Sequence, residues 1–122
     1  MTAPRLSPHN LAELDLMLAG KKNVSYFFME IPPEFLIGYK YNREIEFYDF
    51  AEDPCVYIFY LVGHRKSAIR LEQLIKETRK TKELNEAVER EIGEILGYSK
   101  EEIDFYIETQ KKRYKARSYF SL

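Results

Sequence analysis

Residues 55–70 read Cys-Val-Tyr-Ile-Phe-Tyr-Leu-Val-Gly-His-Arg-Lys-Ser-Ala-Ile-Arg, and this stretch decides the fold. The apolar run Cys55–Val62 predicts a strand that is covered on both faces. Gly63 predicts a turn, and the residues that follow begin a helix. Because segments typical of strands precede this stretch and helical periodicity follows it, we expect an α+β protein.

Three segments before this strand also read as strands, because they are rich in aromatic and β-branched residues. Pro32 and Pro33 end the first of them, and Asn42-Arg43 suggests a tight hairpin between the second and third. With such short connections, the simplest topology is an antiparallel meander of four strands. The three segments are Val24–Ile31, Phe35–Tyr41 and Glu44–Phe50.

Helices are predicted at both ends of the chain. Ser7-Pro8 resembles a helix start and Gly20 a stop, which gives a short N-terminal helix. From Lys66 the apolar residues recur at helical spacing, with a polar interruption near Thr81. Gly97 predicts the end of one helix, and a capping box at residues 99–102 predicts the start of a last helix. We therefore expect one domain, 1–122, with a four-stranded antiparallel sheet over 24–62 and two to three C-terminal helices over 66–117.

Composition and net charge argue against some classes of protein function. Of the 122 residues, 45% are apolar and 32% charged, as in a globular domain. The net charge of −1 argues against a general binder of long nucleic acids. Residues 1–61 carry five basic and nine acidic groups, and residues 62–122 carry fourteen and eleven, so the charge distribution leaves room for a local anion site in the second half. Ten Tyr and eight Phe exceed what a small core needs, which suggests that some rings line a surface or a pocket.

Several kinds of site are not expected. Cys55 is the only cysteine, so there is no internal disulfide or cysteine metal cluster. His9 and His64 do not stand in a metal-ligand spacing. We therefore predict no metal and no cofactor. With no signal peptide or membrane-spanning run in the sequence, we expect a cytoplasmic protein, located in the bacterial cytosol if a phage encodes it.

The first candidate ligand-binding cluster lies where the strand meets the helix. His64, Arg65, Lys66 and Arg70 crowd this junction. Unpaired backbone N–H groups and the helix dipole favour an anion at such a place, and the basic side chains would pair with a phosphate. The alternative is a glycine turn followed by solvated basic residues.

The second candidate cluster lies on the last helix. Arg113 and Arg117 are four residues apart and Tyr106 is seven before Arg113, so the three lie near one face. A guanidinium group can form two parallel hydrogen bonds to a phosphate, and a tyrosine ring can stack on a nucleotide base. The alternative is that cations late in a helix only complement its dipole. The sequence leaves open whether the two clusters meet, and whether they do so within one chain or across two.

Catalysis has less support. Ser67, Ser99 and Ser118 lack the glycine-rich elbow that exposes a nucleophile, and His64 has no orienting acid nearby in sequence. Neither the phosphate-loop nor the dinucleotide fingerprint is present. We therefore expect a protein that is not an enzyme. A small nucleotide-processing enzyme with His64 as general acid or base remains an alternative.

The order of elements over roughly Val24–Arg117 resembles that of small phage proteins that counter Thoeris and related bacterial defences. Those proteins have four antiparallel strands followed by C-terminal helices. They act as sponges that bind cyclic ADP-ribose-type signals, and in some cases cyclic oligonucleotides, in pockets between subunits without cleaving them. The resemblance implies that Arg113 and Arg117 match an arginine pair on the last helix. It implies that Arg65 matches a basic residue after the last strand.

The function predicted from the sequence is non-enzymatic sequestration of a nucleotide-derived signal, a cyclic ADP-ribose isomer or cyclic oligonucleotide, in phage counter-defence. The alternatives are a helical protein–protein interaction module and the His64 enzyme. We also predict a homodimer or larger homo-oligomer, because aromatic residues on both faces of the sheet would need a symmetric partner to cover them.

Overall fold

The structure, a computed structural model, describes residues 12–28, 30–41, 44–50, 56–80 and 83–120, and the side chains of 38–41, 49–50 and 114–120 are not described. A sheet lies between two helical layers. Its strands are β1 (Val24–Phe28), β2 (Ile45–Phe50) and β3 (Val56–Leu61). The helices are α1 (Glu13–Leu18), α2 (Pro33–Tyr41), α3 (Arg65–Lys80), α4 (Glu86–Ile95) and α5 (Lys100–Phe120). The α+β class is confirmed.

The sheet has three antiparallel strands in the order β1-β3-β2, so the prediction of a four-stranded meander is wrong. β1 pairs with β3, with Val24 opposite Tyr60, and β2 also pairs with β3, with Ile45 opposite Leu61. The central position of β3 explains its apolar character, because a central strand is flanked and covered on both faces. The prediction that this strand is the best covered is confirmed, since Val56, Ile58, Phe59 and Tyr60 are all buried.

The missing strand is the segment predicted over Phe35–Tyr41, which is the helix α2. Pro33 occupies the first helical position, where its missing N–H costs nothing, and Glu34 favours the first turn. The Phe35 N–H donates to the Pro32 carbonyl at 3.0 Å. The predicted hairpin at residues 42–43, which themselves lie outside the described residues, is therefore also wrong.

Each face of the sheet packs against its own helical layer. One face contributes Val24, Val56, Ile58 and Tyr60, which pack with Ala68 and other buried residues of α3. The opposite face contributes Ile45 and Phe59, which pack with Met17 of α1 and Phe35 of α2. The second face, for which we expected a symmetric partner, is thus covered by α1 and α2 of the same chain. The homo-oligomer stays a prediction, but the need to cover this face of the sheet no longer supports it.

The three C-terminal helices run alternately up and down. An ion pair joins Arg70 of α3 to Glu91 of α4 at 2.6 Å. Two further pairs join α4 to α5, namely Arg90–Asp104 at 2.7 Å and Lys111–Glu86 at 2.8 Å. The predicted helix ends at Gly20 and Gly97 are confirmed, since both glycines have a positive φ, 73° and 83°, just after a helix. The capping box also forms, with the Ser99 N–H donating to Glu102 and the Glu102 N–H to Ser99 Oγ.

Gly93 lets α5 approach α4 closely. A Cβ added at Gly93 would lie 2.7 Å from Cγ1 of Ile103, which is buried. Alanine would improve helix propensity by about 1 kcal/mol, but overpacking of a buried contact costs about 1–3 kcal/mol.

We expect Gly93→Ala to lower the free energy of unfolding by about 1–2 kcal/mol, because the steric cost exceeds the helical gain. Chemical denaturation measures this change. Glu94→Ala, at an exposed position of the same helix, is the control and should shift stability by less than about 0.5 kcal/mol. A Gly93→Ala variant more stable than the parent would contradict the close approach.

Candidate functional site

A cavity of about 260 Å³ opens between β1 and the helices α3, α4 and α5. We call it the tyrosine pocket, because three tyrosines line it. The described residues that line it are Tyr26, Ile75, Thr78, Glu89, Ile92, Gly93, Leu96, Tyr98, Glu102, Ile103 and Tyr106. An apolar floor with a few polar groups is typical of a small-molecule site.

Four elements place these side chains. Tyr26 lies on the helix-facing side of the edge strand β1, in register with the buried Ile58. The last turns of α3 supply Ile75 and Thr78, whose hydroxyl donates to the Ile75 carbonyl at 2.7 Å. The remaining residues come from α4, α5 and the turn between them, where Gly97 has a positive φ. Since the sheet and three helices all contribute, the pocket is a product of tertiary packing.

The lining of the pocket is acidic. Glu89 and Glu102 both line it, and none of the described lining residues is basic. The Glu102 carboxylate accepts from the Ser99 N–H at 2.8 Å and so belongs to the helix cap. Glu89 is different, because burial is the only cause that raises the pKa of its carboxyl group. In the described part of the chain no cation forms an ion pair with it. Among the residues that the structure describes, the pocket therefore has one carboxylate, that of Glu89, without a paired cation.

Tyr26 and Tyr98 keep their protons at physiological pH. Burial, followed by the negative charge of Glu89, raises the pKa of Tyr26. Burial, followed by the charge of Glu13, raises the pKa of Tyr98. Phenols held neutral in this way supply hydrogen-bond donors and ring faces, and they do not supply phenolate nucleophiles.

Lys22 contacts two residues of the pocket lining, Leu96 and Tyr98, and its side chain is 0% exposed. Its ammonium donates to the Leu96 carbonyl at the end of α4 at 2.5 Å and pairs with Glu13 of α1 at 3.3 Å. The same ammonium lies 5.0 Å from the centre of the Tyr98 ring. Burial lowers the pKa of Lys22, and the charge of Glu13 opposes that shift. One lysine thus joins α1, the end of α4 and a pocket tyrosine.

The first predicted cluster lies away from this pocket. His64 is half-buried at the start of α3, and Arg65 and Lys66 are exposed. The exposed Arg70 makes a two-pronged contact with Glu91, at 2.6 Å from Nε and 2.9 Å from Nη2. Arg70 is therefore already paired with a carboxylate, whereas Arg65 and Lys66 remain accessible to an anion.

The second predicted cluster is divided by the structure. Tyr106 lines the tyrosine pocket, Arg113 is exposed on α5, and the side chain of Arg117 lies outside the described residues. The ion pairs Arg90–Asp104 and Lys111–Glu86 show that α5 runs antiparallel to α4. That Arg65 and Arg113 serve one ligand stays a prediction.

Of the residues that the sequence predicts to bind a ligand, Tyr106 lines the pocket, and the pocket's other described polar residues are not among them. The sequence places Tyr26 in a strand and Tyr98 and Glu102 at a helix boundary, and it carries no signal for Glu89. The excess of aromatic residues was the one signal of a pocket, and it did not say which rings take part.

Comparison with known proteins adds no assignment: no family model matches the chain, and no significant match was found among the curated proteins or the solved structures. The resemblance to the phage anti-defence sponges therefore stays a prediction.

Two further features bear on the kind of site. Within the described ranges, His, Cys, Asp and Glu side chains do not gather in groups of three that could hold a metal ion. Among the helices as far as they are described, none has the length and apolar character to cross a membrane.

Glu89→Gln should make the protein more heat-stable at pH 8. The raised pKa means that folding disfavours the ionised carboxylate, so the wild type loses stability as pH rises through that pKa, while glutamine does not titrate. Melting curves of both proteins from pH 4 to 8 should show a gap that closes at low pH. Glu94→Gln, at an exposed position, should show no comparable gap. A gap that persists at pH 4 would contradict this account.

Proposed function

We propose that the protein binds and retains, without converting, a small ring-bearing molecule in the tyrosine pocket. The observation that supports this most is the combination of a cavity of about 260 Å³, three tyrosines and an apolar floor. Pockets for drug-sized ligands usually measure roughly 300–1,000 Å³, so the ligand is small, of nucleoside size or below.

The chemistry of the lining favours holding a ligand over reacting with it. The raised pKa values keep the phenols of Tyr26 and Tyr98 neutral. Glu102 is committed to the cap of α5. These groups can stack on a ring and accept or donate hydrogen bonds, which is what retention requires.

Sequestration of a phosphate-bearing nucleotide is the second candidate function. It is supported by the start of α3, where Arg65 and Lys66 are exposed and the first turn has no acidic residue. A nucleoside portion suits the tyrosine pocket, but phosphates need cations, and the described lining has none.

The test is a thermal-shift and calorimetry panel of adenosine, guanosine, cytidine, cyclic ADP-ribose isomers, cyclic di- and trinucleotides, and phenylpropyl compounds of each charge. We expect at least one small ring compound to raise the melting temperature, because a ligand that binds only the folded state stabilises it by mass action. Recovered ligand should be chemically intact. A cleaved product would instead support the His64 enzyme.

A side chain that fills part of the pocket should weaken this binding. Thr78→Leu adds apolar volume to the lining, and we expect it to weaken binding at least tenfold. Thr109→Leu is the matched control: its hydroxyl likewise donates to a carbonyl of its own helix, that of Phe105, at 2.9 Å, but it does not line the pocket. No shift across the whole panel would contradict the proposal and favour an interaction module. Equal loss in both variants would contradict the location.

A further inference from the structure

We propose that the ligand of the tyrosine pocket is a cation, an ammonium group attached to a ring or short chain, with Glu89 as its counter-ion. This inference rests on the proposed function and assigns the chemical class of the molecule bound there.

The first argument is the unbalanced charge of the lining. Glu89 and Glu102 contribute two carboxylates, and the described lining residues include no basic side chain. Of the cations near the pocket, Lys22 pairs with Glu13 and the Leu96 carbonyl, and Arg90 pairs with Asp104. Arg79 lies over the Phe28 ring, 5.9 Å from its centre, and its charge acts on Tyr26, where it opposes the rise in pKa, but Arg79 is not among the described lining residues. A half-buried carboxylate without a counter-ion is costly, and a cationic ligand would remove that cost.

The second argument is the ring content of the lining. Tyr26, Tyr98 and Tyr106 surround the cavity, and tyrosine faces attract a cation by about 0.5–2 kcal/mol, most strongly when it is desolvated. An anion would meet two carboxylates and the negative faces of these rings. The same lining thus attracts a cation and repels an anion.

The third argument is a similar arrangement next to the pocket. The Lys22 ammonium lies 5.0 Å from the Tyr98 ring centre and 3.3 Å from the Glu13 carboxylate. An ammonium group is thus already held there between a tyrosine ring and a glutamate. The pocket offers the same two partners, a ring and the Glu89 carboxylate, without an ammonium of its own.

The test uses three probes of nearly equal shape: 3-phenylpropylamine, 3-phenylpropanol and 3-phenylpropanoate. Calorimetry at pH 7.5 should rank the amine about tenfold tighter than the alcohol, and the carboxylate weakest. Glu89→Gln should remove most of the preference for the amine over the alcohol. Glu94→Gln, which makes the same charge change at an exposed position of α4, should preserve it.

The possible outcomes separate the two proposals. If the alcohol binds as tightly as the amine, the cation inference fails while the pocket stands as a ligand site. If neither the phenylpropyl series nor the wider panel binds, the proposed function fails. If the Glu89→Gln and Glu94→Gln variants lose the preference for the amine over the alcohol to the same extent, that preference comes from the net charge of the protein. This result would overturn the role of Glu89. The wild-type ranking decides the inference even if a variant does not fold.

Discussion

We expect Lys22→Ala to lower the free energy of unfolding by about 3–5 kcal/mol, the usual cost of removing one partner of a buried ion pair. Its side chain is 0% exposed, and its loss would leave the carboxylate of Glu13, itself largely buried, without its ion-pair partner. It would also remove the donor to the Leu96 carbonyl that joins the end of α4 to the turn before β1. Urea denaturation at pH 7 measures the change.

The adjacent lysine gives the control for this prediction. Lys21 is exposed, and Lys21→Ala should change stability by less than about 0.5 kcal/mol. The double variant Glu13→Gln/Lys22→Met should recover part of the loss, because it removes both charges together. If Lys22→Ala and Lys21→Ala were equally mild, Lys22 would not hold α1 and α4 together.

We expect Phe35→Ala also to lower the free energy of unfolding by about 3–5 kcal/mol, the usual cost for a fully buried aromatic side chain. The Phe35 ring lies 4.7 Å from that of Phe27 and 5.0 Å from that of Phe59. Phe35 packs α2 against the sheet face for which the sequence predicts a second chain. The loss is measured by the same denaturation experiment.

The two neighbours of Phe35 test whether the segment is helical. Leu36 is 54% exposed and Ile37 is 64% exposed, so each alanine variant should cost less than about 1 kcal/mol. In a strand, Ile37 would share the face of Phe35, because side chains two apart point the same way. A large loss in Ile37→Ala comparable to that in Phe35→Ala would therefore contradict the helix.

Local patterns predicted the parts of the fold that local physics determines. The apolar run of β3 and the stripe Ala68, Leu71, Leu74 and Ile75 of α3 are buried as their periodicity indicates. The capping box at Ser99 and Glu102 forms its two reciprocal bonds, because the two residues stand at the spacing that permits them.

The Pro-Pro pair shows where such patterns are ambiguous. Proline ends a strand and also begins a helix, so Pro32-Pro33 followed by an apolar segment fits either structure. The local sequence alone does not decide between a strand and a helix at this point. The packing of Phe35 against Phe27 and Phe59 determines the outcome, and those contacts join three separate elements.

The pocket was less predictable than the fold. Its residues come from β1, α3, α4 and α5, so their proximity depends on the helical packing that Gly93 permits. Lys22 stood in a polar stretch between a helix and a strand, and its burial depends on Glu13 and on the end of α4. A cluster of basic residues can be identified from the sequence alone. A glutamate without a paired cation can be identified only from the structure around it.

The most direct test of the tyrosine pocket as the binding site is an NMR titration of protein labelled with ¹³C-tyrosine, using 3-phenylpropylamine and then adenosine. We predict shifts of the ring signals of Tyr26, Tyr98 and Tyr106, which line the pocket. The signals of Tyr48 and Tyr57, which do not line it, should stay in place. Saturable binding that moves the backbone amides of residues 64–67 and leaves the three pocket tyrosines unchanged would contradict the account.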